Sequence, residues 1–548
     1  MLRTALALAG LALAAPDLAA QNRDKGELPP LNDREKAHHL LSRCAFGHRP
    51  GQIEEVLRMG IEDWIEAQIQ PRGYDPGPLD SFLSQYDTLD MTTQEILDFY
   101  LRPRGQSRAG RREAPQSPEE RRRAAQDRNR PRSQMVYATL ARQIMSARQL
   151  EEILVEFWRN HFNVSYTKGS PMVPYITGWD RDVLRAHVWG DFHSFLEATA
   201  KHPAMLIYLD NALSRRPPSA AELRRIEQQA RRQGRSREQA RAEADIAQQR
   251  GLNENYAREL LELHTLGVDN GYKQRDVVAV AEALTGWTYS PGRGEFQFRN
   301  GMHVPGKKKV LGRTIRTDAD NGVVEGEAIL EMLAHHKGTA EFISRKLVRY
   351  LVNDNPPESL VKEVARVFRK TDGDLTAMYR TILASEEFWS RENYQAKFKT
   401  PLEFVVSCLR VTGAEVQNIE PLAQKLREMG QGPWLCDDPT GYYDTAEAWL
   451  DPGVMATRWQ FALDLVEGRF PGIRVPDSLY DGLDAELPRL WQVQLTDMIL
   501  PAGASERTRA VLSQVTDEYL ATTRKPDPHV LGPRLLGLLL GSPEFQLQ

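Results

Sequence analysis

Cysteine is scarce: Cys44, Cys408 and Cys436 are all that 548 residues contain. Three cannot make a disulfide scaffold, and an odd number leaves at least one thiol unpaired within the chain even in an oxidising compartment. Two readings stay open, a Cys408–Cys436 bridge and three buried small hydrophobes. Catalytic signatures are missing too. The chain has no GxSxG elbow, HExxH helix, P-loop, GxGxxG turn or CxxC pair, which argues against the common hydrolase, nucleotide-binding and redox classes. Strand signals are sparse and no repeat of fixed period occurs. After the first twenty residues no run is long and apolar enough to cross a bilayer.

What is present begins with a leader. Met1 to Arg3 give a positive start, residues 4–15 form an Ala/Leu-rich apolar run, and Leu18, Ala19 and Ala20 supply a small-residue exit. The run is shorter than the roughly 20 residues of a spanning helix, and Pro16 and Asp17 break it. Residues 1–20 therefore read as a signal peptide, and the mature chain as exported to the periplasm or beyond, with no membrane span once the leader is removed.

The net charge of −4 is uneven. Residues 102–133 hold eleven Arg against four acids and residues 214–250 ten Arg against five. These two stretches, at +7 and +5, leave −16 on the remaining chain. They read as solvated basic insertions, and they lack the interleaved aromatics that stack nucleic-acid bases. The insertions divide the mature chain into helical regions at 21–101, 134–213, 251–400 and 401–548.

The regions carry helix signals. Asn32 with Glu35 and Ser117 with Glu120 have capping-box spacing. Residues 151–162 place Ile153, Leu154, Phe157, Trp158 and Phe162 on one stripe, which turns His161 inward. A helix runs from an Asn253 cap to a Gly267 stop, with Tyr256, Leu260, Leu263 and His264 as its apolar stripe. A second helix follows from about Arg275 to Leu284. Residues 295–298 and 309–311 alternate across Asn300-Gly301 and predict one small hairpin. The fold class is mainly α, a multi-helical globular array with at most that hairpin.

Chemistry, if present, uses scattered residues. Glu259 and Glu262 lie three apart on the Asn253 helix, so their carboxylates can converge on a cation or a proton-transfer site, with His161, His264 and Asp276 as partners. The bland alternative is specific. Glu254, Arg258 and Glu262 are spaced four apart and can form a charge ladder, both histidines suit an apolar core, and Asp276 suits a helix start. Asp210 and Asn211 have oxygens suited to calcium or to a plain helix-ending turn. Residues 439–449, rich in Gly, Tyr, Asp and Trp, suit a carbohydrate-stacking loop or a domain seam.

The string Asn253-Glu254-Asn255-Tyr256-Ala257-Arg258-Glu259-Leu260-Leu261-Glu262-Leu263-His264-Thr265-Leu266-Gly267 resembles the hallmark of a bacterial domain-of-unknown-function family, number 1800. Agreement extends to His39 through Arg43, Phe157-Trp158, Asn160-His161-Phe162, Tyr208 through Asn211, Ala283 through Trp287 and Pro439 through Tyr442. The resemblance implies an exported, mostly helical protein whose members often pair with a secreted family similar to alkaline phosphatases and sulfatases. It implies no established activity and names no cofactor or metal. Two departures stand out: Val304 follows His303 where the family usually has Asp, and Lys337 follows His336 where it usually has Pro.

Two functions compete, a non-catalytic scaffold or partner subunit and an acid/base or metal-assisted hydrolytic enzyme using Glu259, Glu262 and Asp276.

Overall fold

A computed structural model describes residues 29–70, 77–101, 117–249, 251–316, 318, 321–484 and 486–548. The leader expected at residues 1–20 and part of the 102–133 stretch lie outside the described residues.

The chain is mainly α, and the reason is local. Polar caps open its helices: Asn32, Ser117 and Thr400 each form the reciprocal capping box with a glutamate three residues on, satisfying donors that a helix start leaves bare. The Gln149–His161 helix lies at the centre, with Leu150, Ile153, Leu154, Phe157 and Trp158 all buried. Its Trp158 indole donates to Tyr379 Oη at 2.7 Å, and that hydroxyl donates to Val188 O at 3.0 Å. Around it the core is continuous from Ala37 to Phe545.

Three antiparallel two-stranded pairs are described, and the expected hairpin is re-paired. Glu295–Phe298 pairs with Trp287–Ser290, in the register Trp287 to Phe298, while Lys309–Val310 pairs with Arg313–Thr314. The nearer turns win: Gly294 has φ +73°, and Leu311 and Gly312 both take positive φ, as a tight two-residue hairpin demands. Asn300-Gly301 instead begin a 3₁₀ turn leading to His303. The third pair joins Glu415–Val416 to Ile473–Arg474.

The basic 214–250 stretch contains the Ala220–Arg232 and Arg237–Gln249 helices, which pack on each other through Ala230, Ala240 and Ala244 and leave Arg224, Arg225, Arg231, Arg232 and Arg241 exposed. All three cysteines are free and buried. The Cys408–Cys436 bridge does not form, because the two thiols face different surroundings: Cys436 Sγ lies 3.6 Å from Asp438 O, whereas Cys408 sits near Lys399 and Arg458.

The first helix closes against distant chain. His39 Nε2 donates to Phe388 O at 2.8 Å, Arg43 to Asn393 O at 2.8 Å, and His38 Nδ1 meets Tyr394 Oη at 2.9 Å. Residues 397–399 pair with 546–548, with Gln548 N donating to Lys397 O at 2.8 Å and Lys399 N to Gln546 O at 2.8 Å.

Burial holds six histidines neutral. It pushes His38 and His161 far down, His39 and His264 to about 3, and His48 and His202 to about 4. In the unfolded chain each titrates near ~6.5. Below that pH the unfolded state takes up protons that the folded state refuses, so stability is full above about 6.5 and falls as pH drops toward 4, by up to ~1.4 kcal/mol per pH unit per histidine. Thermal melts from pH 7.5 to 4.5 are expected to show a steep, continuous fall in Tm beginning near pH 6.5. A flat profile down to pH 5 contradicts the neutral burial.

Candidate functional site

Several of the strings that resemble the family lie far apart in sequence and meet at one seam. Asn160, at the end of the Gln149–His161 helix, binds one residue twice: its Oδ1 accepts from Tyr442 N at 2.6 Å and its Nδ2 donates to Tyr442 O at 2.8 Å. Gly441, at φ +83°, lies against the Asn160 carbonyl where a Cβ has no room. Asn163 Nδ2 donates to Asp438 O at 2.7 Å and Cys436 O at 3.1 Å, and Tyr208 Oη donates to Asp437 O at 2.9 Å. The 436–444 segment is thus held mainly through its backbone, which makes it a seam. Its Tyr443 side chain stays 68% exposed.

The Asn253 string is one α-turn followed by a π-turn, Asn255–Glu259 and then Leu260–Thr265. Asn253 caps from just outside, with Oδ1 accepting from Asn255 N at 2.8 Å. In the wide turn Leu266 N bonds Leu261 O at 2.9 Å, and Thr265 Oγ1 donates to Leu260 O at 2.6 Å. This five-residue spacing carries Leu261 and Thr265 inward with Leu260 and His264 and leaves Leu263 half-buried, so the apolar stripe drawn at 3.6-residue spacing is corrected. Such turns are frequent at functional sites. Gly267 stops the helix at φ +77°, and a Cβ there meets Phe342 at 2.7 Å.

Of the five sequence candidates, His161 and His264 meet with ring centres 6.2 Å apart and Glu259 lies close enough to Glu262 to feel its charge, while Asp276 is bonded elsewhere. His161 stacks parallel on Phe157, with Trp158 and Phe162 against its edges, and its Nε2 donates to His264 O at 3.2 Å. His264 lies between Phe162 and Tyr256. Both are buried. Burial is the main cause of their neutrality, and the nearby Lys346 ammonium adds to it. Asp276 is spent on backbone: Oδ2 accepts from Lys273 N at 2.9 Å and Oδ1 from Leu311 N at 2.8 Å, which fixes the tight strand turn to the helix start.

Glu262 accepts from Tyr272 Oη at 2.8 Å, pushing that phenol up to about 12 after burial has raised it. Arg258 pairs with Glu254 at 3.6 Å and donates to Gln274 at 2.8 Å, so the ladder to Glu262 stops halfway. Glu259 is half-buried, and burial, then Glu262 and Asp438, raise its carboxyl against weak opposition from Arg258. Among the described residues no three His, Cys, Asp or Glu side chains are placed to hold a metal ion. Asp210 and Asn211 make a helix-ending turn: Asp210 takes φ +60° and pairs with Lys168 at 2.6 Å, while Asn211 donates to Leu284 O and Trp287 O.

Sequence reasoning missed the polar residues behind the seam. Buried Asp180 accepts from Arg185 at 2.7 Å and Arg159 at 3.2 Å, with Arg142 at 3.6 Å. Arg185 also binds Glu152 through both oxygens at 3.0 and 2.8 Å. Arg159 pairs with Glu156 and stacks over Trp434 at 4.7 Å. Burial alone raises the Asp180 carboxyl, but Arg185, Arg159 and Arg142 together override it and hold it far below the usual range. The advance signals were Glu152, Glu156 and Arg159 on one helix and Asp180 five residues before Arg185 on another; the pairing between those two segments and Arg142 comes from the fold.

A second buried group surrounds His303. His303 Nε2 lies 3.2 Å from Glu325 Oε2, to which Lys308 Nζ donates at 2.5 Å, and His303 Nδ1 donates to Thr285 O at 2.9 Å. The carboxylate that meets His303 is that of Glu325, and Val304, next in sequence, carries none. Lys337 takes the first helical position after the His336 cap, whose Nδ1 accepts from Gly338 N at 3.0 Å. Proline is favoured at that position without being required.

A family model described as "Protein of unknown function (DUF1800)" matches residues 39–547. The chain belongs to this family. No curated protein and no solved structure matches it. The DUF1800 match spans the Gln149–His161 helix, the Asn253 string and the 436–444 segment alike, the same three pieces that the seam joins.

The two kinds of carboxylate respond oppositely to neutralisation. Glu259→Gln removes a charge the folded state disfavours, so denaturant melts at pH 7 are expected to show equal or slightly higher stability, by a few tenths of a kcal/mol after solvent screening. Asp180→Asn leaves three guanidiniums without their shared anion and is expected to cost ~3–5 kcal/mol. A destabilised Glu259→Gln variant shows that this carboxylate is held by a partner.

Proposed function

We propose that this DUF1800 protein is a non-catalytic helical scaffold or partner subunit of a secreted or envelope system. The observation that carries the reading is the fate of the five candidate residues: two histidines locked in aromatic packing, an aspartate bonded to backbone, and two partly exposed carboxylates with no third ligand. The polar groups that sequence reasoning assigned to chemistry work as fasteners between helices. The leader pattern of residues 1–20 supports export, and among the described residues no helix is long and apolar enough to cross a membrane. The partner class is the one the family resemblance implies, a secreted protein similar to alkaline phosphatases and sulfatases, and the seam offers it exposed Tyr443 and Leu450.

One observation favours the second reading, an exported acid/base enzyme. Glu259 has its carboxyl raised by burial, Glu262 and Asp438, a condition suited to a general acid.

The test is co-expression of the full chain with a secreted alkaline-phosphatase- or sulfatase-like protein of the same organism, read by size-exclusion chromatography with light scattering. A stable complex is expected, weakened at least ~10-fold by Tyr443→Ala with Leu450→Ala, as anchors of an interface behave, and unaffected by Glu259→Gln with Glu262→Gln. Absence of any complex, or a turnover abolished by the double Gln variant, overturns the scaffold reading.

A further inference from the structure

A narrow pocket of about 390 Å³, mouth included, lies where the first helix meets the last segments of the chain. Its walls come from the Asp33–Arg43 helix, the 47–48 turn, residues 395–399, the Pro401–Val411 helix, the 499–503 turn and residues 544–547. Exposed Ala502 and Gly503 stand on its rim, so a solute enters past groups that carry no charge. Four buried polar side chains from different walls converge on it: His38, Ser42, His48 and Lys399.

Lys399 is a buried cation without a counter-ion. Its Nζ donates to Phe545 O at 2.8 Å and lies 3.9 Å from the centre of the Phe545 ring. Among the described residues no carboxylate pairs with it, and burial pushes it down to about 8, opposed only by the charges of Cys408 and Glu403. Buried charges are ordinarily paired. The carboxylate on the pocket wall, Glu544, is committed elsewhere: it accepts from Ser505 N at 2.8 Å and from Thr508 Oγ1 at 3.0 Å. The two imidazoles stand edge to face, with ring centres 5.6 Å apart. Burial holds both neutral, and the Lys399 charge adds to it. Their hydrogen bonds assign their protons. His48 Nε2 donates to Met498 O at 3.0 Å, which leaves His48 Nδ1 a bare lone pair. Tyr394 Oη is 2.9 Å from His38 Nδ1; a phenol is the stronger donor, so it gives its proton to Nδ1 and His38 Nε2 carries the hydrogen. Among the described residues His38 Nε2, His48 Nδ1 and Ser42 Oγ have no protein partner, and they are not sealed by packing as His39 Nδ1 is.

We propose that this pocket is a binding site for a small oxyanion that carries one O–H, bicarbonate being the ion of that size. The wall offers an ammonium, an imidazole N–H and a hydroxyl as donors, and one imidazole lone pair as acceptor. Bicarbonate matches that set: its oxygens accept from Lys399, His38 and Ser42, and its hydroxyl donates to His48 Nδ1. Nitrate, chloride or a simple carboxylate has no proton to give and sets its negative charge against that lone pair. The bound ion supplies the counter-charge that Lys399 lacks. The inference is independent of the scaffold reading and uses none of the seam residues.

Nitrate supplies the control ligand. It has the planar shape, the charge and nearly the size of bicarbonate, so a pocket that merely attracts anions takes both alike, whereas one that uses the His48 lone pair separates them.

The experiment is calorimetric titration of the full chain with sodium bicarbonate near neutral pH, in a chloride-free sulfonate buffer, with sodium nitrate titrated in parallel. One equivalent of bicarbonate is expected to bind saturably, and nitrate at least ~10-fold more weakly. Lys399→Met and Ser42→Ala are each expected to weaken bicarbonate at least ~10-fold, as loss of a hydrogen bond to a charged group does. Circular dichroism checks folding; Ser42→Ala removes one oxygen only and carries the test if Lys399→Met does not fold. Lack of saturable bicarbonate binding, equal binding of nitrate, or bicarbonate binding unchanged in Ser42→Ala overturns the site.

Discussion

The structure depends most on a buried anion surrounded by cations. Asp180, with Glu152 and Glu156 nearby, neutralises Arg142, Arg159 and Arg185 inside the protein. Guanidinium groups taken from water cost several kcal/mol each unless paired and hydrogen-bonded, so the Gln149–His161 helix is fixed in rotation as well as in place. The same helix then presents Asn160 and His161 at the seam. Any slip along its axis unpairs Arg159 and breaks the double Asn160 bond to Tyr442 together. Electrostatics along the helix from Glu152 to Arg159 and amide geometry at its last turn thus specify a single arrangement in a core that apolar packing alone leaves free to shift.

Much of the helical frame was legible from residues. Capping boxes at Asn32 and Ser117 and a stop at Gly267 follow from short-range chemistry, and the structure repeats them. The inward turn of His161 and His264 was equally readable, because a histidine on a leucine and aromatic stripe has one side to face. The two strand partners were misjudged because alternation fixes a strand without naming its neighbour, and the tight turns at Gly294 and Leu311-Gly312 decided the pairing. The π-turn was invisible: nothing in Leu260 to Thr265 departs from ordinary helix composition. Its cause is the demand to bury Leu261 and Thr265 together with Leu260 and His264.

The site was legible only in part. Glu259 and Glu262 were found, yet their neighbour Asp438 lies 179 positions beyond Glu259 and enters through the seam. Asp276 looked like an acid and is a fastener, because a helix-start aspartate with two oxygens can serve two backbone donors at once. DUF1800 membership identifies the frame in which these residues sit; the chemistry belongs to individual side chains.

The docking of the first helix has a consequence for how the chain reaches this state. His38, His39 and Arg43 bond to Tyr394, Phe388 and Asn393, some 350 positions away, and residues 397–399 wait for 546–548. Contacts of such separation form slowly, since loop closure precedes any reward. During synthesis the Asp33–Arg43 helix packs first on the Gln52–Met59 and Ile61–Ile69 helices that follow it, and the face that meets residues 388–394 waits, in need of shielding, until most of the polypeptide has emerged.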